Sequence, residues 1–424
     1  MLTLSTIRTN PEGVIAALAK RNLDVRPAME LLLALNEQRR RIQTESEALQ
    51  AEANRLAKEI GGLMREGHKD QAEALKSQTA EIKAKIQGFA GELESLEGQE
   101  REQLLRLPNM PHESVPRGKS AEDNEVVAEW SPDWTLAENA VPHWDLAERF
   151  KLIDFERGVK VSGAGFPFYT GQGARLQRGL IQFFLDRNTA AGYLEIQPPH
   201  LVNAASGYGT GQLPDKDGQM YYMGEDQLYA IPTAEVPVTN MLRDEILPEA
   251  DLPVRLTAYS PCFRREAGSY GKDVRGLNRL HQFDKVEIVC VERPDRSYER
   301  LDEMVEHVAG LLRDLELPYR VLRLCGGDMG FTAALTYDFE VWSAAQERWL
   351  EVSSVSNFET FQCNRLMLRY RSEEDGKPHL AHSLNGSSLA LPRVVAALLE
   401  NNQSHEGIRI PKALVPYTGF EWIR

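Results

Sequence analysis

The chain has 424 residues, of which 42% are hydrophobic and 26% are charged, and its formal net charge at pH 7 is −14. This composition is typical of a globular protein, and the length predicts two or three domains. No apolar run reaches the length of a membrane-spanning helix, and the first residues lack the pattern of a signal peptide. We therefore expect a cytoplasmic protein that has no membrane partner.

Cysteine usage indicates the same compartment. The four cysteines lie far apart in the sequence and include no Cys-x-x-Cys pair. This spacing argues against a disulfide framework and against a zinc ribbon. We therefore expect free thiols in a reducing compartment and no structural zinc. The residues are Cys262, Cys290, Cys325 and Cys363.

The charge is distributed unevenly along the chain. Residues 1–107 contain 16 basic and 17 acidic side chains, whereas the remainder contains 33 and 46. The first segment is thus nearly neutral, and almost all of the acidic excess lies in the second. Charge alone gives no reason to expect a nucleic-acid partner, because proteins of that class usually carry a basic surface.

Residues 28–106 have the apolar repeat of a coiled coil. In the first half, leucine or isoleucine recurs every seven residues, at Leu35, Ile42, Leu49, Leu56 and Leu63. In the second half, the apolar positions are Leu75, Ile82, Ile86, Phe89, Leu93 and Leu96. Glycines 61 and 62 and the stretch 65–68 predict the end of one helix and a short turn. We therefore predict an antiparallel helical hairpin, about 55 Å long at ~1.5 Å per residue.

From its residues alone, this hairpin allows two interpretations. Most coiled coils serve as scaffolds or as dimerisation elements. The hairpin also carries basic residues that form either a solvated face or a set of contacts to phosphates. These are Arg39, Arg40, Arg41, Arg55 and Lys58.

A proline-rich stretch follows the hairpin. Prolines at 108, 111 and 116 predict a linker over 108–119, between an N-terminal domain of 1–107 and a second domain of 120–424. In the second domain, β-type runs alternate irregularly with helices, among them 177–189 and 297–315. The glycine signatures of Rossmann and P-loop folds do not occur in the sequence. We predict an α+β fold that is built on an antiparallel sheet flanked by helices.

Residues 261–289 are the most informative stretch of the chain. A predicted strand ends at Arg264 and Glu266, a loop containing Gly268, Gly271 and Gly276 follows, and a second strand runs from Arg279 to Val289. Period-2 spacing puts Arg279, His281, Phe283, Lys285 and Glu287 on one face. An aromatic plane and a carboxylate beside an arginine-bearing loop suit a nucleotide and a cationic group. The alternative is an ordinary polar hairpin.

The same stretch resembles the second signature motif of class II aminoacyl-tRNA synthetases. In its detail it is similar to the seryl-tRNA synthetases of the bacterial type. Residues 192–199, which end in Pro199, resemble the first motif of this class, so the resemblance implies a homodimer. Residues 384–393 resemble the third motif, although serine and proline occupy positions 388 and 392, where the family pattern has glycine. We expect the side chain at position 388 to lie near the ligand.

The resemblance implies which residues bind the substrates. It assigns catalysis to Arg264, Glu266 and Arg393. It assigns ATP binding to Arg264, Arg265, Glu266, Phe283, Glu351, Val352, Ser353, Ser354 and Arg393. It assigns Mg²⁺, bound together with ATP, to Glu351 and Ser354. It assigns serine to Thr233, Ala234, Glu235, Glu287 and Ser387, and tRNA to the five basic residues of the hairpin.

The implied activity is the ATP-dependent ligation of L-serine to tRNA(Ser) through a seryl-adenylate. Whether tRNA(Sec) is also a substrate stays open. So do two alternatives, a synthetase-like ligase that loads an amino acid onto a carrier protein and a specialised or non-catalytic paralogue. The long hairpin argues against the first alternative. The presence of Arg264, Glu266, Glu351 and Arg393 argues against a non-catalytic paralogue.

Overall fold

The structure is a computed structural model that describes residues 1–134, 136, 139–215, 218–267 and 275–424. The chain forms two compact units. One unit, which we call the helical unit, comprises Leu2–Ala19 and Leu23–Pro108. The other, which we call the body, comprises Met1, Lys20–Asn22 and Asn109–Arg424.

The helical unit contains four helices. These are α1 (Leu4–Thr9), α2 (Pro11–Leu18), α3 (Arg26–Glu66) and α4 (Lys69–Arg106). The helix α3 ends where Gly67 adopts a left-handed φ of +87°, which glycine tolerates without steric cost. It continues through Gly61 and Gly62, so these two glycines do not end the helix, whereas the end and the turn predicted over 65–68 are confirmed. Glycine lowers helix stability by only about 1 kcal/mol, and packing between the two long helices offsets such a loss.

The two long helices pack through the predicted apolar repeat. One cluster joins Leu35 and Ile42 of α3 to Leu96 of α4, and a second joins Leu56 to Ile82. Each helix thus buries its apolar stripe against the other, which confirms the predicted helical hairpin.

The body is built on one large sheet. Its eight strands have the order β1-β11-β12-β13-β16-β10-β9-β4, and only the β4–β9 pair is parallel among the pairs that form it. These strands are β1 (Glu125–Trp130), β4 (Leu194–Glu195), β9 (Val254–Phe263), β10 (Gln282–Glu292), β11 (Tyr319–Arg323), β12 (Leu335–Ser343), β13 (Arg348–Asn357) and β16 (His382–Ala390). The predicted α+β class with an antiparallel sheet is confirmed.

Short strands form four smaller sheets in the described part of the body. Their orders are β2-β3, β5-β7-β6, β15-β14-β8 and β17-β18-β19. The strands are β2 (Ile153–Asp154), β3 (Phe168–Tyr169), β5 (Leu201–Asn203), β6 (Tyr222–Met223), β7 (Leu228–Ala230), β8 (Ile246–Pro248), β14 (Arg369–Arg371), β15 (Pro378–Leu380), β17 (Gln403–Ser404), β18 (Gly407–Arg409) and β19 (Trp422–Ile423).

Helices cover the large sheet and close its core. They are α5 (His143–Arg149), α6 (Phe155–Ser162), α7 (Gly171–Ala190), α8 (Ala204–Thr210), α9 (Glu235–Asn240), α10 (Ser297–Asp314), α11 (Thr360–Leu366), α12 (Leu391–Asn401) and α13 (Val415–Thr418). Apolar side chains of α7, α10 and α12 pack with the sheet in one hydrophobic cluster. Pro392 lies in the first turn of α12, where a missing N–H group costs no hydrogen bond.

Two further expectations concern the whole chain. In the described ranges, none of the helices is both long and apolar enough to cross a membrane. All four cysteines are buried free thiols.

Candidate active site

A cleft of about 340 Å³ opens over the strands β10, β13 and β16. Twelve of the fourteen residues predicted to bind ATP or serine line it. They are Thr233, Glu235, Arg264, Glu266, Phe283, Glu287, Glu351, Val352, Ser353, Ser354, Ser387 and Arg393. The structure therefore gathers residues from positions 233 to 393 of the chain into one cavity.

Strand register explains why several of these side chains meet. Glu287 of β10 lies directly opposite Ser387 of β16, and Lys285 lies opposite Ala390. Phe283, Lys285 and Glu287 alternate with inward residues along β10, so all three side chains reach the cleft. The period-2 prediction is confirmed for these three.

One end of the cleft is a buried polar pocket. Thr233 Oγ1 donates a hydrogen bond of 3.2 Å to Glu287 Oε2, and Lys285 forms an ion pair with the same carboxylate. Gln362 Nε2 donates to Glu235 Oε1 at 2.6 Å. Burial and the nearby charge of Glu287 raise the pKa of Glu235 to about 7. Carboxylates paired in this way can recognise an ammonium group and a hydroxyl.

The other end is rich in arginine. The guanidinium of Arg264 lies 5.1 Å from the centre of the Phe283 ring, and its Nε donates to the carbonyl of Pro232 at 3.3 Å. Arg393 Nη1 donates to the carbonyl of Glu351 at 2.8 Å. Glu266 forms an ion pair with Arg279. An aromatic face with two guanidinium groups suits a nucleotide with its phosphates.

The residues beside Glu351 fit a magnesium ion that is bound together with phosphates. The side chain of Glu351 is half-exposed to the cleft, and Ser354 lies directly across the ladder from Asp338. Asp338 Oδ1 is buried and has no hydrogen-bond partner among the described residues. No group of three or more metal-ligating side chains occurs in the described ranges. Such a site suits Mg²⁺, which usually takes one or two carboxylates plus phosphate oxygens and water.

Some residues that were predicted from the sequence to contact substrate, or to share the face of Phe283, do not line the cleft. Ala234 is fully buried and Arg265 is exposed, and neither lines it. The ring of His281 stacks on Phe166 instead, with ring centres 5.4 Å apart, because the strand begins only at Gln282. Gly268 and Gly271 lie outside the described residues.

Gly276 has a structural reason to be glycine. A Cβ atom there would come within 2.3 Å of His143 Nε2, and the residue has a φ of +66°. His143 Nε2 accepts a hydrogen bond from the backbone N–H of Leu277, while its Nδ1 pairs with the buried Glu400. This anchors the end of the loop to α5 and α12. The close approach that requires glycine at position 276 is thus to the imidazole of His143.

The expectation for Ser388 was wrong. Its side chain is fully buried and does not line the cleft. Its Oγ donates to Asn188 Oδ1 at 2.8 Å, on the far side of the sheet from Ser387. Adjacent residues of a strand point to opposite faces, so Ser387 faces the cleft and Ser388 faces the core.

Sequence reasoning did not assign three polar residues of the pocket. Lys285 lines the cleft beside Glu287, and the alternation along β10 already indicated its face. Asn385 also lines the cleft, and its buried Nδ2 has no hydrogen-bond partner among the described residues. Gln362 belongs to α11, and nothing in its local sequence signals its contact with Glu235.

The basic residues of the hairpin differ in their surroundings. Arg39 Nε lies 3.0 Å from Glu100 Oε2, and Asn36 donates to the same buried carboxylate. Arg41 and Arg55 are exposed and lie within 4.0 Å of acidic residues one turn away. Arg40 and Lys58 are also exposed. Arg39 is thus part of the packing between helices, whereas the other four are accessible.

The chain matches known protein families over two ranges. Residues 1–111 match the seryl-tRNA synthetase N-terminal domain, and residues 221–402 match the class II tRNA synthetase core domain of the G, H, P, S and T enzymes. A serine–tRNA ligase of Salinibacter ruber is 55% identical over 99% of this chain and 98% of its own. One from Prosthecochloris aestuarii is 49% identical over 100% of this chain and 99% of its own.

Solved structures give the same result. The crystal structure of a seryl-tRNA synthetase from Pyrococcus horikoshii complexed with ATP superposes with a TM-score of 0.93 at 36% identity. The match covers 100% of this chain and 99% of that one. By sequence and by fold, over its full length, the chain belongs to the seryl-tRNA synthetase family of class II aminoacyl-tRNA synthetases.

Proposed function

We propose that this protein ligates L-serine to tRNA(Ser) in two steps at the cleft. In the first, the serine carboxylate attacks the α-phosphorus of ATP, the bond to the β-phosphate breaks, and pyrophosphate leaves. In the second, a hydroxyl of the terminal ribose of the tRNA attacks the seryl carbonyl, and AMP leaves. The main observation behind this proposal is that one cavity contains both an arginine-rich end and a buried acidic pocket.

The arginine-rich end of the cleft binds ATP. Arg264 neutralises charge that develops on the α-phosphate, and Glu266 holds the adenine. Arg393 covers the adenine on the side opposite Phe283 and reaches the triphosphate. The guanidinium of Arg264 lies over the Phe283 ring, so a cation and an aromatic face are available at the same part of the cleft for a nucleotide. The step depends on positioning and charge neutralisation, and it needs no covalent nucleophile from the enzyme.

Glu351 and Ser354 would hold the magnesium ion beside the phosphates. When bound, the ion neutralises phosphate charge and orients the leaving pyrophosphate. Val352 and Ser353 form the strand between these two ligands, and Ser353 Oγ donates to the carbonyl of Ser387 at 2.6 Å. That bond ties the ATP side of the cleft to the serine side.

The acidic pocket at the other end of the cleft binds serine. Glu235 pairs with the ammonium group, while Thr233, Glu287 and Ser387 surround the hydroxyl. Ala234 and Arg265 were expected to contact substrate, but both lie away from the cleft lining, so we assign them no contact of their own. The buried polar atoms need partners, which serine supplies and an apolar side chain does not.

The helical unit binds tRNA. Of its basic residues, Arg40, Arg41, Arg55 and Lys58 are exposed and suit phosphate contacts, whereas Arg39 is engaged by Glu100. We retain 1–107 as the tRNA-binding domain, 108–119 as the linker and 120–424 as the catalytic domain. tRNA(Sec) remains a second candidate substrate.

We further propose a homodimer and a cytoplasmic location. Exposed apolar residues at and near the sheet edge, Leu194 and Leu201, support a partner subunit beside the segment that resembles the first class II motif. The four buried free thiols support a reducing compartment. Sedimentation velocity over a range of concentrations tests the dimer.

The function is tested by amino-acid-dependent ATP–pyrophosphate exchange across the twenty standard amino acids, followed by aminoacylation of tRNA(Ser). We expect exchange with serine alone and transfer to the tRNA. Exchange with another amino acid, or transfer to a carrier protein in place of tRNA, would contradict the proposal.

A further inference from the structure

A buried hydrogen-bond network lies behind the serine pocket. At its centre is Asn188, near the end of α7, whose side chain is fully buried. Its Oδ1 accepts from Ser388 Oγ at 2.8 Å and from His307 Nε2 at 2.7 Å. Its Nδ2 donates to Thr257 Oγ1 at 2.9 Å. The amide therefore joins side chains from four separate elements, α7, α10, β9 and β16.

The network continues into the strand that carries the serine-pocket carboxylate. Thr257 Oγ1 donates to the backbone carbonyl of Glu287 at 2.9 Å. Thr257 and Ser388 are both fully buried, and Glu287 is 2% exposed. Every hydroxyl and amide group named here thus has a partner, and in a dry core the loss of one member leaves another unpaired.

The two strands meet the network at the residues that shape the pocket. Glu287 and Ser387 lie opposite each other on β10 and β16 with their side chains in the cleft. The network holds the carbonyl of Glu287 and the residue next to Ser387 from the core side. Any shift of one strand relative to the other would change the separation of the two groups that face serine.

We propose that Thr257 and Ser388, acting through Asn188, are positioning residues for serine recognition. This inference rests on the proposed function, since it takes Glu287 and Ser387 to contact serine. A purely structural role, in which the network only fastens α7 to the sheet, predicts lower stability with no selective effect on serine. The two roles therefore differ in which Michaelis constant changes.

The test compares Thr257→Val with Thr257→Ser and with Thr418→Val in serine-dependent ATP–pyrophosphate exchange. Thr418, the last residue of α13, is a matched control, since its buried hydroxyl also donates to a backbone carbonyl, that of Phe420 at 2.9 Å, and does not line the cleft. We expect Thr257→Val to raise the KM for serine about 10-fold and to leave the KM for ATP within about twofold. Thr257→Ser, which keeps the hydroxyl, should restore the KM for serine.

Melting temperatures of all variants are measured beside the kinetics. Thr257→Val and Thr418→Val should both lower the melting temperature, and only the first should change serine recognition. If Thr257→Val does not yield folded protein, Ser388→Ala serves as the second variant, with a rise of about 3-fold or more expected in the KM for serine. Equal changes in both Michaelis constants, or an unchanged KM for serine in folded variants, would overturn the inference.

The wild-type protein separates this inference from the proposed function. If the wild type shows no serine-dependent exchange, the proposed function fails. If the wild type exchanges normally and the folded variants keep its KM for serine, only the positioning role fails.

Discussion

Gln362 and Glu235 are joined by a hydrogen bond of 2.6 Å between Nε2 and Oε1, on elements that are far apart in sequence. Glu235 lines the cleft and is partly buried, and burial together with repulsion from Glu287 raises the pKa of its carboxyl from about 4.5 to about 7. Because burial penalises the charged form, this group lowers folding stability as the pH rises from about 4.5 to about 7. Lys285 offsets part of this cost.

This pKa predicts a pH dependence of serine binding. Only the charged carboxylate attracts an ammonium group, and its fraction rises about 10-fold between pH 6 and pH 8 for a pKa near 7. We therefore expect the KM for serine to fall by about that factor over this range, while the KM for ATP stays nearly constant. Glu235→Gln, which removes the titrating group, should have a high KM for serine at every pH. A wild-type KM that does not change with pH would refute the contact.

Arg264 is predicted to be essential for adenylate formation. Arg264→Ala removes the guanidinium that would neutralise the α-phosphate, which costs about 3 kcal/mol in the barrier, or roughly 100-fold in rate. The measurement is serine-dependent ATP–pyrophosphate exchange. Arg293→Ala is the control, because Arg293 pairs with Glu249 and Asp295 and does not line the cleft. Near-normal exchange by folded Arg264→Ala would show that the assignment is wrong.

Selection against alanine should be stronger than selection against threonine. Alanine lacks the hydroxyl that Thr233, Glu287 and Ser387 are placed to bind, so we expect its kcat/KM for exchange to be about 10⁴-fold below that of serine. Threonine keeps the hydroxyl and is opposed only by the bulk of one methyl group, which discriminates by roughly 10- to 200-fold. Activation of alanine at a rate close to that of serine would exclude a polar pocket.

The sequence predicted the parts of the fold and site that depend on short-range periodicity. The hairpin was predicted from the apolar repeat within each helix. The common face of Phe283 and Glu287 was predicted from the alternation of side chains along β10. Contacts between distant segments were not accessible in this way, and Gln362 is an example. Ser388 was misplaced because the family pattern was followed and no strand was predicted there, whereas the structure has the strand β16, in which Ser388 faces the core.

The basic residues of the hairpin should separate into two classes. Arg39→Ala removes a charged hydrogen-bond donor from Glu100, which is 4% exposed, and we expect the hairpin to lose about 1–3 kcal/mol of stability. Arg40→Ala removes an exposed charge and should leave stability unchanged within about 0.5 kcal/mol. Its effect should appear instead as weaker tRNA binding with a smaller dependence on salt. Circular dichroism melts and salt-titrated tRNA binding distinguish the two classes.

The last prediction separates the helical hairpin from the catalytic cleft. The apolar stripes of α3 and α4 are buried against each other, as in the clusters around Ile42 and Leu56. All cleft-lining residues lie between positions 233 and 393. Replacing 28–106 by a short Gly/Ser joint should therefore preserve serine-dependent exchange and abolish aminoacylation of tRNA(Ser). Circular dichroism and size-exclusion chromatography check the fold of the deletion variant. If the hairpin binds tRNA phosphates, its removal must weaken tRNA binding and aminoacylation. Full aminoacylation by the deletion variant would therefore contradict this role and favour a scaffold or dimerisation role for the hairpin.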